Sequence, residues 1–574
     1  MEILSRPLGF RVLENWNFAG KNAQISSLRS FSRPFGLALP MLLKCSQDVC
    51  VNVSKTSTVV SCARDFTVVE NSESGGVSGI DTESVPESLP SEPLVSPLDA
   101  HSWSVFEIAD AVGGEIISHG SSGTICIDTR KLVPGQWFFA RSGENFDGHG
   151  FIDLALAEKG CVGVIGNRVC EGWEQGFVKV EGDTSVALEK MMRFSRDRFN
   201  GVVVGLTGSV GKTTTRTMIA LALESLGRVH QTHGNFNYMV GVAMTLIGIP
   251  LDAKVAVVEL GLGGKNGEIL EMARMCQPSV RVILNVHPSH MNCFDSLEEV
   301  ARAKGELLTE AQPGDVCVLN GDDPLVMSIP VPYGVKKVLF GQRMGCDVRL
   351  VLAESVDGGC AVRVILESEI YEDSQPWSTS SVKSQMVEFK MQGPGLHLAT
   401  NACAAAAVAM SLGVPLPQIA QSLSRFRPVS MRSQMEVTTN GIRIINDAYN
   451  ANLYSMIAAI NALKSIDCEG KRVAMLGDML ELGSKEEESH EMVLNFCCDK
   501  CLDLLVLVGE RFHGAAGKLK LAGKIDFICA VDSESVVSTV SEMLDPGDVV
   551  LVKGSRAMFM EKIVDEIKLL EGRN

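Results

Sequence analysis

The sequence predicts a multidomain α/β protein, and three observations carry that expectation. Val202 to Leu206 is an apolar, β-branched run followed at once by a glycine-rich loop and a helical run, a strand–loop–helix unit. Two later apolar runs, Val255 to Val258 and Val280 to Leu284, each end in polar or charged residues, as parallel strands do where a sheet opens its ligand crevice. The length of 574 residues exceeds what one core usually organises and points to two to four domains.

Composition narrows the class. With 45% hydrophobic, 21% charged and 6% aromatic residues, the chain has the balance of a packed soluble protein rather than a disordered, collagenous or coiled-coil one. The net charge of −17 argues against a general DNA- or RNA-binding surface, so an anionic ligand requires a local site. The 17 cysteines lack the density and spacing of a disulfide framework, which predicts free thiols in a reducing compartment. Cys497, Cys498 and Cys501 contain a CxxC, but no second pair completes a zinc site, and a buried helix face is the better expectation. No apolar stretch reaches the roughly 18 to 20 residues that span a bilayer, so no membrane partner is expected.

From Met1 to about Ser46 the chain carries Arg6, Arg11, Lys21, Arg29, Arg33 and Lys44 against only Glu2 and Glu14, with several serines. That is the composition of an organellar transit peptide. Glu70 to Asp99 is Ser-, Glu- and Pro-rich without Lys or Arg, which predicts a disordered linker. Folded structure is expected from His101, where Val105, Ile108, Ala109 and Val112 give a helical period. The segment to about Asn200 alternates short strands such as Gly163 to Ile165 with helical stretches such as Gly150 to Glu158, a small α/β domain. Its sharpest strings are Ile127-Asp128-Thr129-Arg130 and Asp147-Gly148-His149-Gly150-Phe151, which are ordinary turn residues when taken alone.

The loop Gly208-Ser209-Val210-Gly211-Lys212-Thr213-Thr214 opens a helical run through Leu226. Such a loop wraps backbone N–H groups around phosphates, Lys212 neutralises them and the Thr213 hydroxyl coordinates Mg²⁺, so a nucleoside triphosphate, ATP, is the predicted ligand. Glu259 ends the Val255–Val258 run and is a natural second Mg²⁺ ligand. Asn285-Val286-His287-Pro288-Ser289-His290 follows the next strand, and Ala303-Lys304-Gly305-Glu306 lies on the helix after it. A lone His or Lys is usually surface or packing; three strand ends bearing suitable groups together point to a site. Gly261-Leu262-Gly263-Gly264 lacks the third glycine and downstream acid of a dinucleotide fingerprint. The Ala-rich run Ala402 to Leu412 predicts a tightly packed helix.

Only Ser209 and Val210 separate Gly208 from Gly211, a spacing that departs from common P-loops and resembles the Mur ligase superfamily, which also includes folylpolyglutamate synthases. The resemblance runs from about His101 to the C-terminus. It rests on Gln231-Thr232-His233-Gly234-Asn235-Phe236-Asn237, Gly267-Glu268-Ile269, Ala303-Lys304-Gly305-Glu306, Gly395-Leu396-His397 with Asn401, and Asn446-Asp447-Ala448-Tyr449-Asn450-Ala451-Asn452 with Ser455-Met456. Gly477-Asp478-Met479-Leu480-Glu481-Leu482-Gly483 and Lys553-Gly554-Ser555-Arg556 complete it. Within the superfamily these strings resemble the branch that joins D-alanyl-D-alanine to UDP-N-acetylmuramoyl-tripeptide. The Tyr-Asn-Ala-Asn string separates that branch from sister ligases, which tend to carry a histidine there.

The resemblance implies a three-domain Mur ligase architecture with a central P-loop ATPase domain and a C-terminal Rossmann-like domain. Its expected parts are a transit peptide over 1–46, a linker over 47–100, a UDP-sugar domain over 101–200, the ATP-binding domain over 201–428 and the ligase domain over 429–574. It implies ATP contacts from Gly208, Ser209, Gly211, Lys212, Thr213, Thr214, His397, Asn401, Arg432 and Asp447. Thr129, Arg130, Asn235, Asn237, Asn450 and Asn452 are the implied substrate contacts. Thr213, Glu259, His290 and Lys304 are the implied ligands of two Mg²⁺, Lys304 as a carbamate; Lys212, Lys304 and His290 are the implied catalytic residues. The implied partners are the UDP-muramoyl tripeptide and D-alanyl-D-alanine, in a chain expected to be a monomer of the plastid stroma rather than the mitochondrion. The alternatives are a folylpolyglutamate-type amide ligase or a non-catalytic nucleotide-binding scaffold. Asn446, Leu453, Tyr238 and Ala243 depart from the family pattern, which has an acid, a proline, an asparagine and a proline at those places. His490 and Glu481 are candidates for the amine site, with a solvated helix as the plain reading.

Overall fold

The computed structural model describes residues 99–143, 146–289, 291–371, 382–499, 502–521 and 523–570. The expected transit peptide and most of the linker, and also His290 and Cys501, lie outside the described residues.

The first sheet uses strands Glu115–Ser118, Gly176–Lys179, Gly163–Gly166, Gln136–Phe139 and Thr124–Cys126 in that spatial order, parallel except for the first pair. Helix Val105–Val112 opens it on a Ser104/Glu107 capping box and closes at Gly113 in the left-handed conformation. Val105, Ile108 and Val112 face the core as their spacing predicts, with Ala111 rather than Ala109 completing the buried stripe. The stretch predicted as one helix from Gly150 to Glu158 is a 3₁₀ turn, Gly148–Phe151, and a short helix, Leu154–Glu158, because the Asp147 side chain caps the turn and Ile152 is extended.

Helix Thr184–Arg198 then joins this layer to the next: Ser195 Oγ donates to Leu246 O (2.7 Å), Arg196 Nε to Cys276 O (2.8 Å), and Trp103 Nε1 to Ile247 O (3.1 Å). One hydrophobic core runs through both layers, from Trp103 and Met191 to Val242 and Leu307.

The central sheet has nine strands. Val229–Gln231, Val255–Glu259, Val202–Thr207, Val280–Ile283, Val316–Asn320, Lys336–Gly341 and Val348–Val356 lie side by side and parallel; Ala361–Tyr371 and Val382–Gln392 extend the edge antiparallel. Continuous apolar runs form the inner strands because both faces are covered: Val203, Ala256 and Val258 point to one core, Val204, Leu206, Val255 and Val257 to the other. The alanine run lies in helix His397–Ser411, with Ala402 through Ala409 buried; side chains this small let the helix nest between the sheet and the helix Lys212–Ala222.

The third sheet orders its strands Gln434–Val437, Arg443–Asp447, Val549–Lys553, Arg472–Gly477, Leu504–Val508 and Phe527–Ala530, parallel after the first antiparallel pair. Val549–Lys553, the last strand in the chain, is inserted between Arg443–Asp447 and Arg472–Gly477, and the carboxyl ends of such out-of-order strands are where α/β sheets bind ligands. Glycine is required there: a Cβ on Gly554 would sit 3.0 Å from Gly477 Cα, and one on Gly477 2.7 Å from Met560 Sδ. Asp467 N donates to Gly358 O (2.9 Å), and Gly483 lies against Asn292, so this layer is docked onto the central one. No helix among the described residues is long and apolar enough to cross a membrane.

Candidate active site

The phosphate loop is built as its sequence predicts, with one device the sequence does not announce. Strand Val202–Thr207 delivers Gly208, and Gly211, in the left-handed region at φ 82°, is the N-cap of helix Lys212–Ala222. A Cβ at Gly211 would sit 2.7 Å from Asn401 Oδ1, which puts Asn401 against the loop. Asn285, at the end of the next strand, braces the loop: its Oδ1 accepts from Ser209 N (3.0 Å) and Val210 N (2.9 Å), and its Nδ2 donates to Val210 O (3.1 Å). Ser209 Oγ donates to His287 O (2.9 Å). Lys212 Nζ donates to Gly208 O (2.8 Å); burial holds its pKa below the ordinary lysine value, Glu259 opposes that shift, and Arg432 adds to it.

Glu259 is buried at its strand end. Its Oε1 accepts from Thr213 Oγ1 (3.3 Å) and Asn237 Nδ2 (2.9 Å), and its Oε2 meets Arg216 Nη1 at 3.3 Å. Thr214 is partly buried beside Thr213, and Asn235 is exposed on the turn that leads to Asn237.

Lys304, on helix Leu297–Gly305, is among the largest fully buried side chains and forms no hydrogen bond or ion pair with the described residues. Burial, reinforced by the charge of Lys212, drives its pKa well below the ordinary lysine value. The neutral amine is therefore the form this pocket favours.

The third layer adds cations and an aromatic ring. Arg432 lies 4.1 Å over the Tyr449 ring and acts electrostatically on Lys212. The residues on either side, Met431 (φ 58°) and Ser433 (φ 51°), are both left-handed, so Arg432 is presented by strained backbone. Burial raises the Tyr449 pKa; Arg432, Arg556 and Arg216 pull it down and Glu259 pushes it up, so this ring faces the phosphate site.

Asp447 is ion-paired to the buried Lys553 (2.7 Å) and accepts from Ser433 N (2.9 Å), while Lys553 Nζ also donates to Asn450 O (2.7 Å). His397 is the first residue of helix His397–Ser411; burial lowers its pKa, Asp447 raises it and Lys553 lowers it, so these three groups neighbour one another. A cavity of about 580 Å³ opens beside His397, Thr400, Gln342 and Arg349. His287 stacks on Tyr454, the rings 4.0 Å apart and 13° from parallel, across the two layers.

Other predicted site residues have different surroundings. Arg130 is exposed and paired to Asp128 (2.8 Å), with Thr129 beside it. Their neighbour Lys131 lies 5.9 Å over the Phe236 ring, which brings this loop to the Asn235–Asn237 turn. Asn450 is exposed; Asn452 is the N-cap of helix Leu453–Ser465, its Oδ1 accepting from Ser455 N (2.9 Å). Leu453 is the first residue of that helix, where a proline also fits. Asn446 is explained by Glu436, whose carboxylate accepts from Asn446 Nδ2 (2.9 Å) and would repel an acid.

His490 lies on the buried face of helix Glu486–Cys498, not on its solvated one. It is fully buried, its Nδ1 donating to Glu486 O (2.6 Å) and its Nε2 accepting from Met479 N (3.0 Å), so both nitrogens are occupied by backbone. Cys497 is buried, and among the described residues no group of three or more His, Cys, Asp or Glu side chains gathers to hold a metal. The site strings of the sequence contain Asn285 and Lys553 but assign them no role, and Arg216 is missed altogether. For Arg216 a signal existed, since it lies one turn beyond Lys212 on the same helix face.

Comparisons with known proteins agree with this geometry. The Mur ligase middle domain matches residues 206–409, and the Mur ligase, glutamate ligase domain matches 431–556. The UDP-N-acetylmuramoyl-tripeptide–D-alanyl-D-alanine ligase of Bacillus subtilis is 32% identical over 469 residues, 81% of this chain and 98% of the relative. That of Synechocystis is 32% identical over 447 residues, 77% of this chain and 91% of the relative. Among solved structures, MurF from Acinetobacter baumannii is 27% identical with a TM-score of 0.66, covering 82% of this chain and 99% of its own. The MurF ligase of Thermotoga maritima, solved with ADP, is 25% identical with a TM-score of 0.61, covering 78% and 98%.

Fold and site thus define a nucleotide-using ligase of the Mur superfamily. Within it, the chain belongs to the UDP-N-acetylmuramoyl-tripeptide–D-alanyl-D-alanine ligase family.

Proposed function

We infer that this chain joins D-alanyl-D-alanine to UDP-N-acetylmuramoyl-tripeptide at the expense of ATP, giving ADP and phosphate. The observation that carries the reading is the convergence of Lys212, Thr213, Glu259 and a buried Lys304 that has no hydrogen-bond or ion-pair partner among the described residues, with Arg432 and Tyr449 supplied from the C-terminal layer.

A carboxylate is a poor electrophile, so the tripeptide's terminal carboxylate first attacks the γ-phosphorus of ATP. ADP leaves and an acyl phosphate forms; the amine then adds to the acyl carbon, and the tetrahedral intermediate collapses with loss of phosphate and a proton. Lys212 offsets the repulsion between the two anions that must meet. The braced loop keeps its backbone N–H groups oriented. Docking of the C-terminal layer excludes water from the acyl phosphate.

Thr213 and Glu259 have the chemistry to hold Mg²⁺: a hydroxyl beside a buried carboxylate, 3.3 Å apart. Bound there, Mg²⁺ would supply charge neutralisation on the phosphates. Lys304 suits a carbamate. Its neutral amine would add CO₂ with loss of a proton, turning a buried group that has no partner among the described residues into an anion toward a second Mg²⁺, for which His290 is the further ligand we propose.

The basic, acid-poor stretch from Met1 to Ser46 has the composition of an organellar transit peptide, and its attachment to a ligase of bacterial wall-precursor type, with a relative in Synechocystis, favours the plastid over the mitochondrion. A monomer is the proposed working state, since all three layers of one chain supply the site.

The test is phosphate release with ATP, Mg²⁺, the UDP-muramoyl tripeptide and D-alanyl-D-alanine, each omitted in turn, with mass detection of product. Release that needs both substrates and yields the pentapeptide supports the reading; nucleotide binding without product points to another acceptor or a scaffold.

The His287–Tyr454 stack makes a separate prediction. Tyr454→Ala weakens docking by about 0.5–1.5 kcal/mol, the worth of an aromatic pair. Phosphate released per pentapeptide formed then rises above one as water reaches the acyl phosphate, while Tyr454→Phe keeps the ratio at one. An unchanged ratio in Tyr454→Ala would remove the stack from any role in closure.

A further inference from the structure

We propose that Arg216 is a positioning residue that ties the carboxylate of Glu259 to the turn bearing Asn235 and Asn237, so that one guanidinium sets both the metal side and the UDP-substrate side of the site. The inference rests on the ligase reading above and extends it to a residue with no assigned role.

Arg216 lies on helix Lys212–Ala222, one turn beyond Lys212, with its side chain 6% exposed. Its Nη1 meets Glu259 Oε2 (3.3 Å) and donates to Gly234 O (3.0 Å), and its Nε donates to Gln231 Oε1 (3.2 Å). Three acceptors from two separate elements thus converge on one planar group. A guanidinium presents its donors in a fixed fork, whereas an ammonium is a point charge on a flexible stem.

The consequence for Glu259 is a division of labour. Oε2 is held by Arg216, while Oε1 faces Thr213 and Asn237. A carboxylate anchored at one oxygen presents the other in one direction, as metal ligands do when a hydrogen-bond partner behind them fixes their orientation.

The consequence for the substrate side runs through Gly234. It takes the left-handed conformation (φ 52°) and begins the turn of Asn235, Phe236 and Asn237. Phe236 is the ring under Lys131, next to Thr129 and Arg130. A continuous path of contacts therefore runs from the phosphate helix through Arg216 to the N-terminal layer. An ordinary buried ion pair would hold Glu259 alone; this side chain also holds the turn.

The experiment compares the full chain with Arg216→Met and Arg216→Lys. Its first readout needs neither Mg²⁺ nor turnover: the rise in Tm produced by the UDP-muramoyl tripeptide in EDTA. The others are the Mg²⁺ concentration for half-maximal rate, and KM for that substrate against kcat. Arg216→Met is expected to lose the substrate-induced rise in Tm and to need about ten- to hundredfold more Mg²⁺ and UDP-substrate, with KM for D-alanyl-D-alanine unchanged.

Arg216→Lys is expected to recover the Mg²⁺ requirement, since an ammonium can still reach Glu259, but not the substrate KM or the rise in Tm. Variants that fold with parental Mg²⁺ requirement, KM and substrate-induced Tm rise overturn the proposal, whatever their own Tm. If Arg216→Met does not fold, Arg216→Lys decides. A parent chain without ligase activity counts against the ligase reading; the EDTA measurement still tests the tie by itself.

Discussion

Lys304→Met is expected to give a protein more stable than the parent at neutral pH and about 10²- to 10³-fold less active. Lys304 is fully buried and makes no hydrogen bond or ion pair with the described residues, so in CO₂-depleted buffer the fold carries the desolvation cost of its amine without return. Methionine has a similar length and no polar atom; it removes a penalty of about 1–3 kcal/mol.

The pH dependence follows from the direction of the shift. The folded-state pKa lies well below the ordinary lysine value, while the unfolded chain titrates near about 10.4. Between those two values the unfolded state holds one more proton, so the parent gains stability as pH rises through that window. The methionine variant lacks this slope, and its advantage shrinks from pH 7 to pH 9. Denaturant titrations at both pH values, with CO₂ removed, measure the difference. A variant less stable than the parent at pH 7, or an advantage that does not shrink, would show that the amine is charged and paired in the fold. Activity falls for the opposite reason: the anion that a carbamate would place in the site cannot form on methionine.

Asp447→Ala is expected to destabilise the chain by about 3–5 kcal/mol, because it leaves the buried Lys553 cation without its partner. Ser433 N loses its acceptor as well, which frees the strained backbone that presents Arg432. The double variant Asp447→Ala/Lys553→Met should recover most of the stability, since an apolar side chain replaces the stranded charge. It should not recover activity, because the Arg432 loop stays unanchored. Equal stability of the single and double variants would mean that Lys553 finds another partner through Asn450. A double variant with parental kcat would mean that the anchoring of Arg432 does not matter to the reaction.

The parts legible in the sequence are those whose chemistry is contiguous. Strand Val202–Thr207, the loop through Gly211 and helix Lys212–Ala222 follow one another without interruption, so apolar run, glycine and helical run announce the phosphate site together. The same holds for Glu259 at the end of its strand and for the alanine helix His397–Ser411. In these the residue's neighbours along the chain are also the cause of its conformation.

His490 and Asn452 show the limit. A histidine and an asparagine near a site string suggest ligand contacts, yet the first spends both nitrogens on the backbone and the second commits its Oδ1 to capping a helix. Nothing local distinguishes a histidine facing a ligand from one facing Met479 N, because the choice depends on how two elements pack.

By itself the sequence determined the α/β class, the phosphate loop, the carboxylate at the strand end and the buried position of the alanine helix. Only the tertiary structure decided which partner each charged or polar side chain takes: Glu259 with Arg216, Asp447 with Lys553, Asn285 with the loop it braces, and Lys304 with none among the described residues. The reason is physical. Secondary structure follows from periodicity and backbone freedom within a few residues. The energy of a buried charge is set by whatever group the fold brings within a few ångströms, and here that group is usually tens of residues away in the chain.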